Sequence, residues 1–197
     1  DPSNWVFLLE DENGLRVYNK SLEYSDIPAV FVEYETVVDY EVLKQVILNG
    51  ELHPNFMEES HLIESVNIKV TNEYIDNYQR LSPPFLTDRH YVTRTHFNII
   101  DPSFHIRLNW KMLPNISEYQ SLIEKKNAEF GNAIYMDYGY GGWEIIKLSN
   151  NMTQVNYRII IDPGGWIPDF LVTQSNAILA PITVLNMVRE AQRQMNP

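Results

Sequence analysis

Alternating apolar and polar side chains run through most of this chain and predict strands. In residues 29–38, Val30, Val32, Tyr34, Thr36 and Val38 oppose Phe31, Glu33 and Glu35, the pattern of a strand with one solvated side. Residues 15–20 alternate in the same way, and residues 61–68 and 73–81 predict two strands joined near Thr71 and Asn72. In residues 89–99, Arg89, Tyr91, Thr93, Thr95, Phe97 and Ile99 share one face; His90, Val92, Arg94, His96 and Asn98 share the other. The first face is the more aromatic and less charged, so it is assigned inward. Residues 104–113 split more sharply: Phe104, Ile106, Leu108, Trp110 and Met112 against His105, Arg107, Asn109 and Lys111. Residues 134–140 alternate through Ile134, Met136, Tyr138 and Tyr140, and Gly141-Gly142 then permits a sharp bend. A final hairpin, 143–148 and 153–161, places Val155, Tyr157, Ile159 and Ile161 on one face.

Helical signals are fewer. Residues 5–9 read as a short apolar helical opening. Asp39 is placed to cap a helix reaching about residue 49, with Leu43, Val46 and Ile47 as its buried stripe. Ser117-Glu118-Tyr119-Gln120 has capping-box spacing and predicts a helix over 118–129 that buries Tyr119, Leu122, Ile123 and Phe130 and stops at Gly131. The tail is the longest element. Asp162-Pro163-Gly164-Gly165 breaks the preceding strand; Pro168 and Asp169 suit a helix start. Ile167, Leu171, Gln174, Ile178, Ile182, Leu185, Val188 and Gln192 then recur at steps of three and four, one helical face. Pro181 inside that helix removes a hydrogen bond at a cost of ~3 kcal/mol and predicts a kink at the Ala177 carbonyl. Two readings of the kink stand: a bent packing helix, or a lid that moves over a cavity. The whole, residues 1–197, is one α+β domain: a curved antiparallel sheet of roughly seven to nine strands wrapped around the terminal helix, with room between them for a hydrophobic cavity.

Composition narrows the function. A formal net charge of −11 argues against a nucleic-acid partner, which needs basic surface, and against tight docking on anionic membranes. There is no Cys, so disulfides and thiolate-bound metals are excluded, and no apolar run is long enough to span a membrane as a helix. The chain begins at Asp1 rather than Met, which leaves cytoplasmic, periplasmic and secreted compartments open. The five His, at 53, 61, 90, 96 and 105, have no metal-site spacing, and no nucleophile elbow or phosphate-cradling glycine loop occurs. No catalytic residue, metal or cofactor is therefore assigned. The sequons at Asn115 and Asn151 are of the kind that arises by chance.

Four segments resemble the START domain, the lipid-transfer module related to steroidogenic acute regulatory protein. They are Pro83-Pro84-Phe85-Leu86-Thr87-Asp88-Arg89-His90-Tyr91-Val92, similar to the family's P-x-P-x-x-x-R-D-Y-V signature; Gly141-Gly142-Trp143; Asp162 to Pro168 with Leu171 following; and the terminal helix with Pro181, Leu185 and Arg189. The opening Gly14-Leu15-Arg16-Val17-Tyr18 also fits. The segments follow the family's order over nearly the full length. The sequence departs from it at His90, where the signature has an acid, and in the 117–130 helix, which reads as an insertion beside the tunnel mouth.

The resemblance implies a helix-grip fold: a sheet closed by the C-terminal helix over a tunnel for one lipid or sterol-like molecule, with transient membrane contact. It implies that Arg89 faces the cavity, either meeting a head group or paired with Asp76 from the neighbouring strand. Tyr78, Trp110, Met112, Tyr138 and Tyr157 would line the inner wall, as core or as an aromatic cage for a cation. Thr93, Thr95 and Ile159 share that wall by their strand faces. Leu171, Ile178, Ile182 and Leu185 would form its helical side. The expected function is non-enzymatic binding and transfer of a hydrophobic ligand. An enzyme of the polyketide cyclase or hydrolase group is the alternative, and a ligand-sensing module ranks behind it.

Overall fold

The computed structural model describes residues 4–114, 117–165, 167 and 169–196; the side chains of residues 150 and 169–175 are outside that description. Ten strands among the described residues form one sheet. In chain order they are β1 (Val6–Glu10), β2 (Arg16–Leu22), β3 (Ser25–Thr36), β4 (Leu62–Val70), β5 (Tyr74–Leu81), β6 (Arg89–Asp101), β7 (His105–Leu113), β8 (Ile134–Tyr135), β9 (Gly139–Lys147) and β10 (Thr153–Ile161). The sheet order is β1-β2-β3-β10-β9-β7-β6-β5-β4, antiparallel throughout, with the short β8 alongside β6 in parallel. The described residues also form three α-helices, α1 (Tyr40–Leu48), α2 (Gln120–Phe130) and α3 (Asp169–Met195), with two 3-10 segments, Gly50–Asn55 and Glu58–Ser60, between α1 and β4.

α1 starts where expected. The Asp39 carboxylate accepts from the amides of Glu41 (2.9 Å) and Val42 (3.2 Å), satisfying two donors that an uncapped helix would leave open. Its Leu43, Val46 and Ile47 are buried in the main core with Val17, Val30 and Val32 of the sheet and Ala180, Val184, Met187 and Ala191 of α3. α3 continues as one helix through Pro181.

Four local expectations change. Residues 6–10 form an edge strand rather than a helical turn; so short a helix would not hold in water, whereas pairing with β2 supplies partners for the backbone. The 117–120 capping box does not form: Tyr119 is the N-cap of α2, and no side chain caps it. Phe130 is 46% exposed rather than buried. α2 lies over the outer face of β5 to β7, across the sheet from the cavity: Tyr119 packs against Tyr78, Val92 and Leu113. Arg80, almost fully buried, fastens its far end, donating to the Lys126, Phe130 and Gly131 carbonyls and to Asp88. A guanidinium at a helix C-terminus also meets the negative end of the helix dipole.

Candidate functional site

The inner face of the sheet and α3 enclose a cavity of about 210 Å³. Six strands supply its walls: β4 through Leu62 and Asn67; β5 through Ile75, Asn77, Gln79 and Leu81; β6 through Tyr91, Thr93, Thr95 and Phe97; β7 through Leu108 and Trp110; β9 through Trp143; β10 through Tyr157, Ile159 and Ile161. Trp143 of β9 stacks on Tyr157 with ring centroids 4.0 Å apart. Gly141 opens space for the Trp110 indole: a Cβ there would lie 2.6 Å from the ring and 2.3 Å from the Arg158 carbonyl oxygen. Leu179, Thr183 and Met187 of α3 close one side, and His53, Met57 and Ser60 come from the segment after α1.

The polar groups of the cavity are neutral and mostly satisfied. The Tyr91 hydroxyl donates to Gln79 Oε1 at 2.5 Å, and Asn77 Nδ2 donates to Asn67 Oδ1 at 2.9 Å. Ser65 donates to Asn77 Oδ1 at 3.2 Å. Burial pushes the Tyr91 and Tyr157 hydroxyls well above the ordinary phenol range. His53 Nε2 lies 3.1 Å from the Val46 carbonyl; a carbonyl only accepts, so Nε2 carries the proton. Burial lowers the His53 pKa to about 4, against the pull of its backbone hydrogen bonds to Val46 and Ile47. No Asp, Glu, Lys or Arg is among the described residues that line the cavity.

Of the residues assigned from sequence, Thr93, Thr95, Trp110, Tyr157 and Ile159 line this cavity. The others, apart from Leu171, whose side chain is outside the described residues, lie elsewhere. Asp76 and Tyr78 point to the outer face: β5 pairs with β6 so that Asp76 stands opposite Arg94 and Arg89 opposite Leu81. Asp76 and Arg89 are therefore on opposite sides of the sheet, and the expected pair between them does not form. Asp76 instead accepts from Arg94 Nε and Nη2, both at 2.7 Å, and from the Tyr119 hydroxyl. Burial pushes its carboxyl up, but the Arg94 and Tyr119 hydrogen bonds and the charges of Arg94 and Lys69 outweigh this, and its pKa is lowered. Tyr78 is fully buried under α2.

Met112 is on the inner face, in register with Thr93, and packs with Tyr91 and Met136 next to the lining residues without lining the cavity itself. Tyr138 lies edge-on to Tyr140, 6.0 Å between centroids, with its hydroxyl buried and without a partner among the described residues. Arg89 is 4% exposed and does not line the cavity itself.

The helical side was assigned to the wrong face. Ile178 is 55% exposed, and Ile182 and Leu185 are half-buried outside the cavity; Leu171 lies outside the described residues, as do Gln174, Trp166 and Pro168. The buried face carries Ala180, Val184, Met187 and Ala191, again at steps of four and three. Two of these four are alanines, so the largest side chains did not mark this face.

Asn67, Asn77 and Gln79 went unrecognised. A signal existed: the set Tyr74, Asp76, Tyr78 and Arg80 carries two charges, while Ile75, Asn77, Gln79 and Leu81 carry none.

No protein-family model matches the sequence, and no curated protein sequence matches it. Solved structures do match in fold. A STAR-related lipid transfer protein from Xanthomonas axonopodis superposes with a TM-score of 0.78 at 16% identity, over 96% of this chain and 99% of that one. Human StAR-related lipid transfer protein 5 gives 0.78 at 13% identity, over 100% of this chain and 90% of its own. The Zhui aromatase/cyclase from Streptomyces sp. R1128 gives 0.58 at 10% identity, over 85% and 95%. The large antiparallel sheet, the C-terminal helix laid across it and the cavity between them make this chain a START-type helix-grip fold.

Proposed function

We propose that this protein is a carrier: it binds one compact hydrophobic molecule between the sheet and α3 and returns it chemically unchanged. The lining carries the reading. Aromatic and aliphatic side chains surround a space into which the described residues put amides and hydroxyls but no carboxylate, and the one imidazole, His53, is a weak base held by Val46. General acid–base work near neutral pH calls for a group poised near that pH. Burial of apolar ligand surface at roughly 0.8 kcal/mol per CH₂ supplies affinity without any charge.

Size bounds the ligand. Small-molecule pockets run to ~300–1,000 Å³, and a cavity of ~150 Å³ takes a benzene. By that measure 210 Å³ accommodates a body of about eight carbon atoms in this conformation, short of a sterol or a two-chain lipid. The fold-mates that transfer lipids support a hydrophobic ligand in general; delivery between membranes is the further part of the proposal.

Native mass spectrometry of the purified chain, alone and after incubation with alcohols, fatty acids, aromatic polyketides, sterols and phospholipids, tests it. The expected result is one bound small molecule, recovered at its original mass. Recovery of an altered molecule would favour the cyclase-type alternative. No uptake from any class would end both.

A further inference from the structure

Amide side chains reach the cavity from one part of its wall. β4, β5 and β6 carry them on adjacent strands, in two rows set by register: Asn67, Asn77 and Thr93 in one, Gln79 and Tyr91 in the next. β7, β9 and β10 bring Trp110, Trp143 and Tyr157 instead. Within the amide strip every side-chain carbonyl is taken. Tyr91 donates to Gln79 Oε1 at 2.5 Å, Ser65 to Asn77 Oδ1 at 3.2 Å, and Asn77 Nδ2 to Asn67 Oδ1 at 2.9 Å. The reverse directions are closed, because a carbonyl oxygen has no proton to give.

What remains over is donors. The NH₂ groups of Gln79 and Asn67 donate to nothing among the described residues, and Gln79 stands in the middle of β5 between Asn77 and Leu81, all three on the lining. A neutral donor edge asks for a neutral acceptor. An amide N–H left unpaired in a dry site costs free energy that a hydrocarbon ligand does not recover. A carboxylate also accepts, but its charge would enter a lining that holds no Lys or Arg among the described residues. A ketone, lactone or quinone oxygen accepts and brings neither a charge nor a donor of its own to satisfy. The aromatic side chains of the remaining wall suit a flat ring beside it.

We infer that Gln79 selects the ligand: a compact, uncharged ring compound whose carbonyl oxygen accepts from Gln79 Nε2 while the Tyr91 hydroxyl holds the amide in that orientation. This rests on the carrier reading and names the ligand class for it.

Calorimetric titration of the ligand-free full chain with acetophenone, its flat hydrocarbon counterpart α-methylstyrene, and benzoate tests the inference. The proteins are wild type, Tyr91→Phe, and Gln79→Met combined with Tyr91→Phe. The double variant is used because Gln79→Met alone would free the Tyr91 hydroxyl to replace the lost donor. Relative to Tyr91→Phe, the double variant should weaken acetophenone about tenfold and hold α-methylstyrene within about twofold, the worth of one hydrogen bond and the polar group it satisfies. Near neutral pH wild type should bind benzoate at least about 100-fold more weakly than acetophenone. The infrared C=O stretch of bound, carbonyl-labelled acetophenone reads the contact directly. In wild type it should lie below its value in hexane, and in the double variant it should return toward that value. A hexane-like stretch in wild type overturns the inference, whatever the variants do. Ketone binding already lost in Tyr91→Phe assigns the donor to the hydroxyl and refutes the amide. Benzoate binding as tightly as acetophenone refutes the uncharged ligand. Binding of α-methylstyrene without acetophenone by wild type removes the inference and leaves the carrier reading in place; binding of none of the three refutes both.

Discussion

Replacing Asp76 by Asn separates what holds the fold from what would hold a ligand. Asp76 is fully buried on the outer face, receives both Arg94 donors at 2.7 Å and accepts the Tyr119 hydroxyl at the start of α2. Removing one member of a buried ion pair costs about 3–5 kcal/mol. The Arg94 side chain keeps 24% of its exposure and can recover water, which places the loss near about 3 kcal/mol. For a chain of this length, each kcal/mol moves Tm by about 2–4 °C, so Asp76→Asn should melt about 6–12 °C lower. Cavity-ligand affinity should stay within about twofold, because the sheet itself separates Asp76 from the cavity.

The pH dependence has a defined sign. The folded-state pKa of Asp76 is lowered from its ordinary value of 3.8, so its stabilisation is complete above that value and is lost as pH falls through the folded one. The gap between wild type and variant should hold from about pH 8 to 5 and close below about 4. Thermal unfolding by circular dichroism and ligand titration on the same samples measure both quantities. A Tm change below about 2 °C, or a tenfold loss of affinity at unchanged Tm, would refute the placement of Asp76 on the outer face.

Three more outcomes are expected. Gly141→Ala brings a methyl to 2.3 Å from the Arg158 carbonyl oxygen and 2.6 Å from Trp110; it should cost at least about 1–3 kcal/mol and shift the tryptophan emission, and an unchanged spectrum with wild-type stability would contradict the close approach. Thr183→Leu should reduce ligand uptake by filling the cavity, whereas Ile178→Lys, on the exposed face of the same helix, should change stability by no more than about 0.5 kcal/mol and leave uptake intact; the reverse pattern would put the helix on its other face. His53 titrates near 4 when folded against 6.5 as its ordinary value, so the unfolded chain binds the proton first and stability should fall as pH drops from about 6.5 toward about 4, by up to about 3 kcal/mol. His90, also lowered to about 4 by burial, adds to the same window; urea midpoints at pH 7.5 and 4.5 for wild type and His53→Gln measure the share of His53, and equal slopes would remove it.

The sequence by itself determined the architecture, because one-sided burial leaves a pattern. β3, β7 and β10 each face the core on one side, and their alternation showed which residues point inward. Asp39 capped α1 through a bond to its own near neighbours, an interaction local enough to read from three residues. Tertiary structure alone decided the site. β5 has the cavity on one side and α2 on the other, so both its faces carry large or apolar residues and its alternation does not say which is inner. That ambiguity assigned Asp76 and Tyr78 to the cavity and hid Asn77 and Gln79. α3 buries Ala180 and Ala191 beside Val184 and Met187 in the main core, while the large Ile178 stays exposed, so side-chain size did not mark its buried face. The missing Asp76–Arg89 pair follows from the same cause: register places that acid across the sheet from Arg89, and register depends on the pairing of distant strands rather than on any run of residues within one.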